Sequence, residues 1–122
     1  MKRTLSILVV DDDRGVLGTV VEVIETAGHS CFRASTPTEA LEIAALHELQ
    51  ATVLDMHLGG SVTGLEILGR LRGIHRRLAA ILMSGDLTAE IRMEAGKVGV
   101  KSVLGKPIDL AALRDAVDRL AV

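Results

Sequence analysis

The chain has 122 residues, of which 48% are apolar, and this length and composition predict one domain with a core of its own. Phe32 is the one aromatic residue, so that core must be aliphatic. The formal charge of −2 gives no general attraction to nucleic acid or anionic lipid, and no apolar run approaches the roughly 20 residues of a membrane span. The lone cysteine, Cys31, excludes an internal disulfide and fits a reducing, cytoplasmic setting.

The first part of the chain alternates between strand and helix patterns. Residues 5–10 form a continuous apolar run that predicts a buried strand. Residues 14–27 carry apolar side chains at helical spacing and are followed by Gly28, a common helix stop. Residues 30–34 are predicted to form a second strand.

The second helix has a clear start signal. Thr36 is a predicted N-cap, Pro37 occupies the first helical position, and Glu39 is placed to close a capping box. The sequence ATVLD, residues 51–55, then predicts a third strand, and residues 64–72 carry leucines at helical spacing.

The last part of the chain repeats the alternation. Strands are predicted over residues 78–83 and 102–105, and helices over about 88–97 and 109–121, with Leu110 among the buried positions of the last helix. Five strand–helix units predict an α/β fold: a parallel sheet with helices on both faces. A doubly wound sheet of five strands most often has the order 2-1-3-4-5.

Chemically active side chains follow four of the five predicted strands. Asp11-Asp12-Asp13 follows the first strand, Asp55 ends the third, Ser84 follows the fourth, and Lys106 follows the fifth. The carboxyl ends of parallel strands meet at one edge of a sheet, where open α/β folds bind their ligands. Each feature alone is common in turns and helix caps, but their joint placement predicts a site.

The chemistry of this group is coherent. Crowded carboxylates require a cation, and all-oxygen ligation suits Mg²⁺, with Mn²⁺ as an alternative. A carboxylate is also a competent nucleophile toward phosphorus. The metal, a lysine ammonium and a serine hydroxyl could hold the three oxygens of a transferred phosphoryl group.

The motifs ILVVDDD, LDMHLGG, ILMSGD and LGKPID together resemble the receiver domain of two-component response regulators, over essentially the whole chain. The resemblance implies a doubly wound, flavodoxin-like fold. It implies that Asp55 is both the phosphoacceptor and a Mg²⁺ ligand, that Asp12 binds Mg²⁺ directly, and that Asp11 acts partly through water. The main-chain carbonyl of His57 is the implied third metal contact, while Asp13 is expected to cap the first helix.

The resemblance also implies switch residues. Ser84 matches the family's switch hydroxyl, and Lys106 matches the lysine that contacts the phosphoryl group. The family's aromatic switch residue lies three positions before that lysine, and here the position is Val103. Signal output through a serine–aromatic coupling is therefore in doubt for this chain.

The loop after Asp55 departs from the family pattern. The family usually has proline four residues after the phosphoacceptor and glycine eight after it. Here Gly59 replaces the proline, and the matching glycine, Gly64, comes one residue late. We expect a longer and more flexible loop over residues 59–63. The ring of His57 is expected to be exposed to solvent; alternatively, it modulates access of water to the phosphoryl group.

These observations predict that residues 1–122 form a receiver domain acting as a phosphorylation-controlled switch, not a turnover enzyme. A histidine kinase or phosphotransfer protein would donate the phosphoryl group. The surface of the fourth helix, fifth strand and fifth helix would then change for an output partner or a fused domain. The alternatives are a phosphorylation-independent interaction module and, less in keeping with His57, a phosphatase. A basic cluster over residues 70–77 lacks interleaved aromatic side chains, which argues against direct nucleic-acid binding.

Overall fold

A computed structural model describes residues 2–122 and contains the predicted alternation of strands and helices. The strands are β1 (Ser6–Val10), β2 (Ser30–Ala34), β3 (Ala51–Asp55), β4 (Ala79–Ser84) and β5 (Ser102–Gly105). The helices are α1 (Arg14–Thr26), α2 (Pro37–Leu46), α3 (Gly64–Ile74), α4 (Ala89–Lys97) and α5 (Leu110–Leu120). Within this part of the chain, no helix combines the length and the apolar character that crossing a membrane requires.

All strands are parallel and lie in the order β2-β1-β3-β4-β5, which confirms the predicted sheet. Alternate residues of each strand contribute to two separate aliphatic clusters. Leu8 and Leu54 pack beneath α2 and α3 on one face, while Val9 and Val53 pack beneath α1 and α5 on the other. Both faces are covered, which explains the continuous apolar runs of the central strands β1 and β4. The edge strand β2 is less buried and contains Ser30 and Arg33.

Side chains cap the helices largely as the sequence predicts. The Asp13 carboxylate accepts hydrogen bonds from two backbone N–H groups in the first turn of α1. At α2, the Thr36 hydroxyl accepts from the N–H of Glu39 at 3.1 Å. The Glu39 carboxylate, however, accepts from the N–H and hydroxyl of Ser35, at 3.0 and 2.7 Å. The capping box therefore closes one residue earlier than predicted.

Two side chains lie in surroundings that differ from the expectation. Leu110 was expected to be buried but is 45% exposed, because it opens α5 where the helix begins at the sheet edge. Cys31 is half-buried, and burial raises the pKa of its thiol to about 12, so the thiol remains protonated at neutral pH.

Candidate functional site

The site is built around a lysine that bridges two buried aspartates. Asp11 follows β1, Asp55 ends β3, and these strands are neighbours in the sheet. The Lys106 ammonium, one residue beyond β5, lies 2.9 Å from Asp11 Oδ2 and 2.8 Å from Asp55 Oδ2. The side chains of Asp11 and Asp55 are only 0% and 6% exposed, so the ammonium supplies charge compensation that solvent does not.

Burial and pairing act on these groups in opposite directions. Burial raises the pKa of Asp11, outweighing the hydrogen bonds from the Asp13 N–H and from Lys106. Burial would lower the pKa of Lys106, but its hydrogen bonds to Asp55 and Asp11 together raise it. Lys106 is therefore held charged, and it is the positive group of a pocket with excess negative charge.

Asp12 completes the acidic group. One carboxylate oxygen each from Asp11, Asp12 and Asp55 can be chosen so that all lie within 4.8 Å of one another, and Asp12 is exposed. Three carboxylates and one ammonium leave a net charge of −2, which one divalent cation neutralises. Oxygen donors at this spacing fit Mg²⁺ or Mn²⁺. Asp13 takes no part, because its carboxylate caps α1.

The loop between β3 and α3 is shaped by its glycines. Gly59 and Gly60 have φ angles of 79° and 64°, which L side chains rarely adopt. His57 and Thr63 form an isolated antiparallel bridge, and the Gly64 N–H donates to the carbonyl of Met56 at 2.8 Å. The loop, which is one residue longer than in the family pattern, is thus closed by the His57–Thr63 bridge and the bond from Gly64 to Met56.

Gly64 is needed for a steric reason. A Cβ atom at this position would lie 2.3 Å from the carbonyl oxygen of Asp55. The absence of a side chain at Gly64 therefore allows α3 to begin in close contact with the end of β3.

The backbone of His57 lies next to the acidic group. Its backbone N–H donates to Asp55 Oδ1 at 3.2 Å, and the bonds that close the loop use the carbonyl of Met56. Its ring, as expected, is exposed: the side chain is 59% exposed, with Nε2 lying 3.9 Å from a carboxylate oxygen of Asp86.

Ser84 is fully buried as the last residue of β4, next to the position that pairs with Asp55. Its hydroxyl donates to the carbonyl of Asp86 at 2.9 Å and accepts from the N–H of the same residue at 3.1 Å. The structure therefore ties the hydroxyl into the loop that follows β4. Sequence reasoning missed Asp86, although a hydroxyl residue that bonds to the backbone two positions on is a recognised turn pattern.

Val103 lies on β5 and packs against the aliphatic cluster beneath α2 and α3. It is half-buried there. The structure thus brings together Asp11, Asp12, Asp55 and Lys106. The Ser84 hydroxyl is instead bonded to the backbone of Asp86 in the loop after β4.

The basic cluster at the end of α3 is partly structural. The Arg72 guanidinium donates to the carbonyls of Leu78 and Val98, and the His75 ring contacts the carbonyl of Ala44 at 2.8 Å. Arg76 and Arg77 remain exposed.

A parallel 2-1-3-4-5 sheet with an acidic group and a lysine at its carboxyl edge defines a doubly wound α/β domain with a pocket that suits a divalent cation. The family described as the response regulator receiver domain matches residues 7–118. The chain belongs to this family.

Individual relatives agree with this assignment. Sporulation initiation phosphotransferase F of Bacillus subtilis is 31% identical over 113 residues, which cover 93% of this chain and 90% of that protein. Sensory/regulatory protein RpfC of Xanthomonas campestris is 28% identical over 98% of this chain, but the match covers only 17% of RpfC. A solved response regulator protein from Burkholderia pseudomallei, with a phosphorylated aspartic acid, calcium ion and citrate, has a TM-score of 0.83 at 25% identity, covering 96% of this chain and 68% of that one.

Membership sets the general function. Receiver domains belong to two-component systems, where they are phosphorylated on aspartate by histidine kinases or phosphotransfer proteins. They are signalling switches rather than turnover enzymes, and they bind Mg²⁺ at an acidic pocket. In some relatives the domain is fused to further domains.

Proposed function

We propose that residues 1–122 form one receiver domain in which Asp55 is the phosphoacceptor. The observation that carries the proposal is the pairing of the Asp55 carboxylate with the Lys106 ammonium at 2.8 Å, inside the acidic group of Asp11 and Asp12. The Asp55 carboxylate thus lies between the Lys106 ammonium and the carboxylate oxygens of Asp11 and Asp12, which suit a divalent cation.

The chemistry follows from this arrangement. A carboxylate oxygen of Asp55 attacks the phosphorus of a phosphohistidine, the P–N bond breaks, and the donor imidazole leaves with the electron pair. Asp11, Asp12, Asp55 and the His57 carbonyl would hold Mg²⁺, whose charge would offset that of the phosphoryl oxygens. Lys106 would hold a second oxygen, and the Ser84 hydroxyl a third once it has left Asp86.

The output of the switch is proposed to be a change in the surface formed by α4, β5 and α5. In α4 only Ala95 is buried, and Met93 is 60% exposed, so this helix has little packing to hold it in one position. The new charge at Asp55 would bias an equilibrium between two arrangements of this surface.

Two similar proteins are consistent with the proposal. The Burkholderia response regulator was solved with a phosphorylated aspartic acid and calcium, and the Bacillus relative is named as a phosphotransferase. By extension, a histidine kinase or a phosphotransfer protein is the proposed donor for this chain.

The test is the intact mass after incubation with acetyl phosphate and Mg²⁺. We expect one phosphoryl adduct on the wild-type protein and on the control Asp115→Asn, which changes an exposed aspartate of α5. Asp55→Asn, and wild-type protein treated with a chelator, should show none. An adduct that persists on Asp55→Asn would refute the assignment. No adduct under conditions where Mg²⁺ binds would favour the phosphorylation-independent interaction module instead.

A further inference from the structure

The loop between β4 and α4 is held by the same hydroxyl that the proposed switch requires. Ser84 Oγ forms two hydrogen bonds with the backbone of Asp86, as donor to its carbonyl and as acceptor from its N–H. A hydroxyl has one proton to donate. Ser84 therefore cannot donate to a phosphoryl oxygen while it donates to Asp86, so turning toward Asp55 releases one anchor of the loop.

The next residue of that loop, Leu87, covers a glycine of β5. Gly105 pairs with Ser84 in the β4–β5 register, so the two residues share one face of the sheet. A Cβ atom at Gly105 would lie 2.8 Å from Leu87 Cδ1 and 3.5 Å from its Cγ. Leu87 thus rests directly on the backbone of Gly105, although it is 40% exposed.

Val103 lies two residues before Gly105 and therefore on the same face of β5. This face of β5 thus carries a branched side chain at Val103 and none at Gly105, and Leu87 lies against the glycine. The contact between the loop and β5 is therefore made by a leucine seated on a glycine.

We propose that the Leu87–Gly105 contact is a positioning device: it stabilises the resting loop and so holds the Ser84 hydroxyl away from the phosphoryl site. The inference rests on the proposed function of Asp55 and deepens it by naming what opposes phosphorylation. Because coupling between two sites is reciprocal, weakening the contact should strengthen binding of a phosphoryl group or its mimic at Asp55.

The probe is beryllium fluoride with Mg²⁺, a phosphoryl mimic that binds a carboxylate, measured by isothermal titration calorimetry. Gly105→Ala should bind it about fivefold more tightly than the wild-type protein, because the added Cβ would lie 2.8 Å from Leu87 Cδ1 and would displace the leucine side chain from the contact. Leu87→Ala should also bind it more tightly. The control Gly69→Ala, on the exposed side of α3 where no atom lies within 4 Å of the new Cβ, should leave the affinity unchanged.

Two double variants separate coupling from a general loosening of the fold. In a Leu87→Ala background, Gly105→Ala should have no further effect, since the side chain it would displace is gone. In a Ser84→Ala background it should also have none, because the hydroxyl that transmits the effect is absent. If Gly105→Ala fails to fold, Leu87→Ala replaces it. Its effect on the beryllium fluoride affinity is then measured with Ser84 present and in the double variant Leu87→Ala/Ser84→Ala.

The outcomes are distinct. If Gly105→Ala and Leu87→Ala bind like the wild type, or tighten binding equally with and without Ser84, the coupling is refuted while the role of Asp55 stands. If the wild-type protein binds beryllium fluoride no better than Asp55→Asn, the proposed function itself fails.

Discussion

Three adjacent aspartates, Asp11, Asp12 and Asp13, have three different roles because each faces a different environment. Asp11 is buried against the Lys106 ammonium, Asp12 is exposed within the acidic group, and Asp13 caps α1. Their repulsion is thus limited: one charge is paired, one is solvated, and one lies at a helix N-terminus. The sequence predicted that Asp13 caps α1 and that Asp11 and Asp12 suit a cation. It did not predict the ion pair between Asp11 and Lys106, because the two residues are 95 positions apart and local patterns do not show which side chains meet.

Replacing Lys106 tests the importance of that bridge. Lys106→Met should destabilise the metal-free protein by about 3 kcal/mol at pH 7, because two buried carboxylates lose their counter-charge. The penalty should shrink as the pH falls toward 5, since protonating one carboxylate removes the uncompensated charge.

Urea denaturation at the two pH values measures both effects. Lys101→Met changes an exposed lysine next to β5 and is the matched control. A Lys106→Met protein as stable as this control at pH 7 would show that the bridge contributes nothing to folding.

Among the elements, α4 differs from the other helices in its attachment to the core. It buries Ala95 alone, whereas α1 buries Leu17, Val20, Val21 and Ile24. Local stability follows the amount of buried apolar contact, so an element with little of it opens at a lower free energy than the molecule as a whole. This is the property expected of a part that moves during switching.

In native-state hydrogen exchange, the backbone amides of α4 should therefore exchange before those of the other helices. We expect its central amides to exchange at least about tenfold faster than those in the middle of α1, measured by peptide-resolved mass spectrometry at neutral pH. Equal protection of the two helices would contradict the view that α4 is the weakly held element.

The same elements show what sequence can and cannot predict. The continuous apolar run of β1, the strand pattern ATVLD of β3 and the caps at Asp13 and Thr36 are local signals, and the structure confirms them. The exposure of Leu110 and the contact of Leu87 with Gly105 depend on how separate elements meet, which periodicity does not encode.

On the scale of the whole molecule, the sheet order brings the site together. Because β1 and β3 are neighbours and β4 and β5 follow on one side, residues from four strand ends converge at one edge. The net negative charge of the resulting pocket links metal binding to folding, since a cation that binds only the folded state stabilises it.

Magnesium should accordingly raise the stability of the protein. At 100 times the dissociation constant, the expected gain is about 2.7 kcal/mol. Asp12→Ala should lose most of this gain, because Asp12 is the exposed carboxylate of the acidic group, while Asp115→Ala should keep it. Thermal denaturation with and without Mg²⁺ measures the gain, and an equal gain in both variants would place the metal elsewhere.

The most direct test of the account is to identify which residue carries the phosphoryl group. After incubation with acetyl phosphate and Mg²⁺, borohydride reduction converts an aspartyl phosphate to homoserine, and peptide mass spectrometry locates it. The account predicts homoserine at position 55 and aspartate at positions 11 and 12. Homoserine at position 11 or 12, with Asp55 unchanged, would contradict it.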